Sequence, residues 1–187
     1  MPFGEAEIFR DWKWYKTMTP YFFRELLDEE IPTVFDLILA RIQWMNEQGI
    51  KSWNTTNYIE RYPISYYYEK RQNHEAFAVV ECGSDRIVSA GVLLQEDERW
   101  EEDSPSLYIH NLVADIHVKG AGSAFLQYAE KYARSLGKEY LRLDSIEGNP
   151  AITLFYERLG FHAAGTCEDG DYHGVLREKE LANESRV

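Results

Sequence analysis

Between Thr33 and Gly49 the apolar residues Val34, Leu37, Ile38, Ile42 and Met45 recur at three- and four-residue spacing, which marks one face of a helix that Gly49 stops. Before it, Ile8, Trp12 and Trp14 alternate with charges, and this predicts a first strand at about 11–18. Thr19-Pro20 reads as a helix start, a capping hydroxyl followed by proline, so a short helix is expected over Tyr21–Leu27, with Pro32 either interrupting it or starting a new one. A second helix is expected after Pro63, within Arg61–Lys70. Its tyrosines, with the others between Tyr58 and Tyr68, suit either a substrate pocket or amphipathic packing. Glu75–Glu81 and Arg86–Leu94 read as strands of a hairpin around the turn Gly83-Ser84-Asp85. Gln95–Ser106 is a polar, acidic loop.

The most patterned stretch runs from Leu107 to Phe161. An apolar strand, Leu107-Tyr-Ile-His-Asn-Leu-Val113, leads into the turn His117-Val-Lys-Gly-Ala-Gly-Ser-Ala124 and a helical pattern to Ala133. A second strand, Tyr140–Asp144, is followed by a helical piece over Pro150–Leu159 that closes on Gly160-Phe161. Strand, glycine turn and helix form an arrangement that cradles phosphate: the first helical N–H groups lack partners, the peptide dipoles favour negative charge there, and glycine lets the main chain approach closely. His162–Thr166 and Tyr172–Leu176 read as final strands around the turn Glu168–Asp171, with a solvated tail from Glu178 to Val187. With no repeat or linker in view, residues 1–187 are expected to form one domain.

Composition narrows this further. The chain has 187 residues, 44% of them hydrophobic and 14% aromatic, enough for a real core. A net charge of −12 argues against broad nucleic-acid binding and is compatible with cationic amine substrates. Cys82 and Cys167 are not spaced as a metal or redox pair and are expected to be free thiols. The first residues lack a signal-peptide pattern and no run of about 18 apolar residues exists, so a cytoplasmic location is expected, with no membrane partner.

Taken together, the glycine turn, the amphipathic helix after it, Asn149 opening the next segment and Phe155-Tyr-Glu-Arg-Leu-Gly-Phe161 ending it resemble the GNAT superfamily of acetyl-CoA-dependent N-acetyltransferases. The likeness is specific over Leu107–Phe161 and looser, but in the right order, elsewhere. It implies an α/β (α+β) fold, with a mixed, mostly antiparallel central sheet of about six or seven strands flanked by about four helices. It implies acetyl-CoA as co-substrate without a metal, and a small-molecule amine or a protein amino group as acceptor, the acetyl group passing directly within a ternary complex. A homodimer is compatible with the family. A non-catalytic module that binds CoA or another acyl-CoA is the alternative.

The resemblance also assigns residues. Backbone amides of Val118, Lys119, Gly120, Ala121, Gly122, Ser123 and Ala124 would clasp the pyrophosphate. The family has Arg or Gln at the head of this turn. Read literally, Lys119 fills that place; read by helix phase, His117 fills it, with Gly120 and Gly122 in the glycine places, and this second alignment continues better into the helix. Lys119 suits a phosphate counter-charge in either. The family's bulged strand would offer Leu112 and Val113 amides to the acetyl oxygen. Asn149, Ala151, Phe155 and Tyr156 would lie along the cofactor, Asn149 also suiting a helix cap. Tyr156 is the candidate proton donor to the leaving thiolate, although its neighbours look like core. For the base, His110 is the candidate, with Tyr108 on its face and Glu81 or Glu147 as acidic alternatives. Asp144 suits either amine binding or pairing with Arg142.

Overall fold

The computed structural model describes residues 20–102 and 104–181. Its strands are β1 (Tyr21–Glu25), β2 (Ala76–Glu81), β3 (Ile87–Leu94), β4 (Ser106–Ala114), β5 (Tyr140–Ile146), β6 (His162–Asp169) and β7 (Tyr172–Glu180). Its α-helices are α1 (Ile31–Glu47), α2 (Tyr58–Arg61), α3 (Ile64–Gln72), α4 (Ala121–Ser135) and α5 (Pro150–Arg158). The strands form one sheet in the order β1-β2-β3-β4-β5-β7-β6. Every neighbouring pair is antiparallel except β4 and β5, which run parallel because α4 carries the chain back between them. This is the mixed, mostly antiparallel sheet expected from sequence.

Each face of the sheet buries its own cluster. On one, Leu107, Ile109, Leu141 and Leu143 pack with Phe125, Leu126, Ala129 and Tyr156 of α4 and α5. On the other, Ala76, Ala78, Val80, Ala90 and Val113 pack with Val34 and Ile38 of α1, Tyr58 of α2 and Tyr67 of α3. The expected helices before and after Gly49 are therefore present: Pro32 sits in the first turn of α1, Gly49 has φ +66°, and Pro63 separates α2 from α3. None of the described helices is long and apolar enough to cross a membrane.

Two expectations change and one is not tested. The strand expected at 11–18 lies outside the described residues. The short helix expected over Tyr21–Leu27 is strand β1, in register with β2 from Tyr21↔Glu81 to Glu25↔Phe77. A helix of that length cannot recover the cost of its first turn alone, whereas the edge of β2 supplies a full set of backbone partners. Phe23 then stacks on Phe77 at 5.2 Å and on Tyr128 at 5.6 Å. At the other end, β7 continues through Glu178 to Glu180 and Leu181 is buried, so the loose tail does not begin at Glu178. The Glu178 carboxylate instead meets the Arg142 guanidinium at 2.6 Å, and Arg142 has no exposed surface.

Gly91 of β3 admits the ring of Phe125, which is completely buried: a Cβ at this position would stand 2.8 Å from the ring. Gly91→Ala is therefore expected to lower stability by about 1–3 kcal/mol through overpacking. Urea unfolding measures it, and an unchanged midpoint would mean that Phe125 moves aside freely.

Candidate active site

Strand β4 carries one residue more than its partner. Ala90 of β3 pairs with Val113 and Val92 with His110, so Asn111 and Leu112 together face Gly91. Asn111 takes φ +53°, the left-handed region that asparagine tolerates better than most L residues. On the other side, β4 pairs with β5 only from Ser106↔Tyr140 to Ile109↔Leu143. Beyond that point β4 keeps to β3 and β5 keeps to β7, and the two strands part. The opening is a cleft of ≈ 540 Å³ whose walls include Leu112, Ala114, Asp144 and Ser145 from the parted strands.

Both flanking helices start at this cleft. Gly120, with φ +86°, is the N-cap residue of α4. The turn is tied by Asp115: its carbonyl accepts from Val118 N–H at 3.2 Å and its carboxylate from His117 N–H at 2.8 Å. Among the described residues, no protein group accepts from the N–H groups of Gly120, Gly122 and Ser123. A Cβ on Gly122 would stand 3.7 Å from Phe155 and 3.8 Å from Ala114, in the space beside those free donors. Asn149 caps α5, its side-chain oxygen accepting from Ile152 N–H at 3.2 Å.

Of the residues singled out from sequence, His110, Leu112, Val118, Gly120, Ala121, Gly122, Ser123, Asn149, Ala151, Phe155 and Tyr156 line this one cleft. Val113 does not: the bulge reverses its face and buries it beside α1. His117 and Lys119 are exposed and Ala124 lies further along α4, so none of the three lines it. Glu81 closes the β2–β3 hairpin onto the Ser84 hydroxyl at 2.6 Å, and Glu147 is exposed; neither lines the cleft. Tyr108 shares the His110 face but is covered, within 6.2 Å of the Trp100 ring.

Tyr156 packs as a core residue and also reaches the cleft. Its ring packs edge-on against Phe155 at 5.1 Å and Phe161 at 5.7 Å, yet it lines the cleft, and its hydroxyl makes no hydrogen bond to the described protein. Burial, then the nearby Asp144 carboxylate, raises its pKa, so the phenol stays protonated throughout the neutral range.

The far end of the cleft holds a connected polar group. His110 Nε2 lies 2.9 Å from an Asp97 oxygen, and its Nδ1 has a long 3.4 Å contact with Arg99. Arg99 reaches Asp144 at 3.2 Å, and Asp144 accepts the Tyr172 hydroxyl hydrogen. The expected Arg142–Asp144 pair is absent because Arg142 turns to Glu178 and lies over the Trp100 ring at 4.4 Å. Asp97 and Arg99 come from the acidic loop; nothing in its sequence distinguishes Asp97 from the neighbouring Glu96 and Glu98, whereas Arg99 is the loop's only basic residue. The facing wall is aromatic: Trp53 stacks on Tyr58 at 4.3 Å, with Tyr62 at 5.0 Å from the same ring. Tyr66 and Tyr67 stand behind it, so the tyrosine cluster both lines the cleft and packs.

Three comparisons bear on this geometry. The sequence profile of the acetyltransferase (GNAT) family matches residues 39–161. An uncharacterized N-acetyltransferase of Bacillus subtilis, YesJ, is 25% identical over 172 residues, covering 83% of this chain and 88% of that protein. Among solved structures, a GNAT-family acetyltransferase from Streptococcus agalactiae superposes with a TM-score of 0.73 at 18% identity, over 87% of this chain and 96% of that one. One from Listeria monocytogenes gives 0.70 at 20% identity, over 86% and 95%. The PaiA N-acetyltransferase of Thermoplasma acidophilum, solved with coenzyme A, gives 0.62 at 19% identity, over 87% and 99%.

The polar group sets a pH dependence. Burial alone would raise the Asp97 carboxyl, but the His110 hydrogen bond and the Arg99 charge hold it below its ordinary value. A depressed carboxylate stabilises the fold above its unfolded pKa and loses that contribution as pH falls through the folded one. Asp97→Asn is therefore expected to be less stable than wild type at about pH 6, the difference shrinking as pH falls below the ordinary carboxylate range. Urea unfolding across that range checks this; a difference constant with pH would show that the charge is not what matters.

Proposed function

The chain belongs to the GNAT family of acetyltransferases, and from that premise we propose that it moves an acetyl group from acetyl-CoA to a primary amine by direct transfer within a ternary complex. The observation that carries this reading is the parting of β4 from β5 into a cleft that runs from the free N–H groups of α4 to the Tyr156 hydroxyl and the His110 ring. Acetyl-CoA supplies an acyl carbon activated as a thioester.

The remaining work falls to the chain's own groups. The N–H groups of Gly120, Gly122 and Ser123, with the positive end of the α4 dipole, hold the pyrophosphate, and no side chain at 120 or 122 obstructs them. Asn149, Ala151 and Phe155 flank the arm that enters between the strands. The Leu112 N–H, left opposite Gly91 by the bulge, is placed to donate to the acetyl carbonyl oxygen. Tyr156 gives its proton to the departing sulfur.

His110 takes the proton of the attacking amine. The Asp97 carboxylate holds a hydrogen on Nε2, which leaves the Nδ1 lone pair with only the long 3.4 Å contact from Arg99 to give up. The amine itself rests on the wall of Trp53, Tyr58 and Tyr62. A CoA-binding module without turnover is the competing reading, kept open by the histidine at 117 where the family carries Arg or Gln.

Two measurements separate them. Thiol release from acetyl-CoA across a panel of amines is expected with at least one acceptor, whereas binding of CoA without release by any amine would favour the module. Tyr156→Phe is expected to keep acetyl-CoA affinity within about two-fold while lowering kcat by roughly ten-fold or more. Unchanged kcat would remove the phenol from its assigned role.

A further inference from the structure

The bulge in β4 is held from outside the sheet. Both ends of the Asn111 side chain are engaged: its oxygen accepts from the Tyr66 hydroxyl at 3.1 Å, and its nitrogen donates to the Tyr58 hydroxyl at 2.7 Å. Tyr58 and Tyr67 in turn share a hydrogen bond at 3.1 Å. The tyrosines belong to α2 and α3, and the two bonds reach back 53 and 45 residues along the chain. The Tyr58 and Tyr67 side chains are buried, with 5% and 2% exposure, so their hydroxyls depend on these partners. Burial raises the pKa of all three phenols, which therefore keep their hydrogens at neutral pH.

A bulge that needs a positive φ is commonly built with glycine, which takes that conformation without strain. Here the position carries a side chain whose amide is bonded at both ends. Tyr58 is also part of the wall on which the acceptor is proposed to rest, stacked on Trp53. The same phenol therefore touches the acceptor's side of the cleft and grips the strand that meets the thioester.

We propose that Asn111 is a positioning residue: clamped by Tyr58 and Tyr66, it fixes the bulge that aims the Leu112 N–H and ties that aim to the aromatic acceptor wall. This rests on the acetyl-transfer reading above. A polar donor displaced by about an ångström loses much of its effect on rate, whereas the phosphate contacts some residues away are untouched. The clamp thus affects turnover rather than cofactor affinity.

Two variants test it. Tyr66→Phe removes one hydroxyl and leaves the packing. Asn111→Gly keeps the backbone free to hold a positive φ but removes the clamp. For both, kcat is expected to fall roughly ten-fold or more, with acetyl-CoA affinity by calorimetry within about two-fold of wild type. Amide nitrogen relaxation is expected to show Asn111 and Leu112 as rigid as neighbouring strands in wild type, with an order parameter of about 0.85, and to fall toward about 0.6 in each variant. Wild-type order and kcat in Asn111→Gly would overturn the proposal, because backbone conformation alone would then suffice. If the wild type itself releases no thiol with any amine, the acetyl-transfer reading fails. The relaxation data then judge the clamp on their own: unchanged order in both variants overturns it, and lost order supports it.

Discussion

Strand β4 cannot stay bonded to both neighbours, and the arrangement of the site follows from how that conflict is settled. An extra residue at Asn111–Leu112 lets β4 keep β3 while leaving β5, which stays paired with β7 along its whole length from Tyr140 to Ile146. The same insertion reverses the facing of the strand. Leu107 and Ile109 point to the α4 side, but Val113 points to the α1 side, where simple alternation would have kept all three together. One local irregularity thus sits where the sheet opens, with Leu112 on the wall of the opening and the start of α4 at its rim. The seven-stranded frame tolerates this because each parted strand retains a full partner on its other side.

Charge is distributed unevenly around that opening. The chain carries 32 acidic against 20 basic residues, yet the carboxylates around His110 and Arg99 are matched. Asp97 holds His110, Asp144 holds Arg99 and Tyr172, and Asp169 meets Arg61 at 3.0 Å. Removing one member of a group like this leaves its partner exposed to the desolvation that the pair had offset. At that end the cleft presents the aromatic wall of Trp53, Tyr58 and Tyr62 rather than a surplus of negative charge. The acidic surface therefore says less about the acceptor than composition suggests.

Much of the fold was legible because its signals are local and periodic. The apolar stripe from Val34 to Met45, the hairpin around Gly83 and the glycine turn before α4 all appear as expected. The failures have physical reasons. Tyr21–Leu27 carries a sound helix-start signal, but the open edge of β2 outweighs it, and no short-range pattern reports on that edge. Glu178 looks like the head of a solvated tail until Arg142, far away in sequence, is seen to need a counter-charge. In the site, Tyr156, Asn149 and the glycines were accessible through a contiguous motif. Asp97 was not, since a loop without periodicity gives no sign of which of its acidic residues turns inward, and Arg99, its only basic residue, carries no sign of which carboxylate it meets. Asn111 was hidden in plain view: a bulge is a matter of register between two strands, and register is not written in either strand alone.

The claim on which the rest depends is that the parted strands admit the acyl carrier, with its phosphates on α4 and its thioester at the bulge. Titrating coenzyme A into isotope-labelled protein and following backbone amide shifts tests this most directly. The account predicts that the largest changes fall at Gly120, Gly122 and Ser123, with a second group at Leu112 and around Asn149. Shifts confined to other surfaces, with these amides unmoved at saturation, would contradict it.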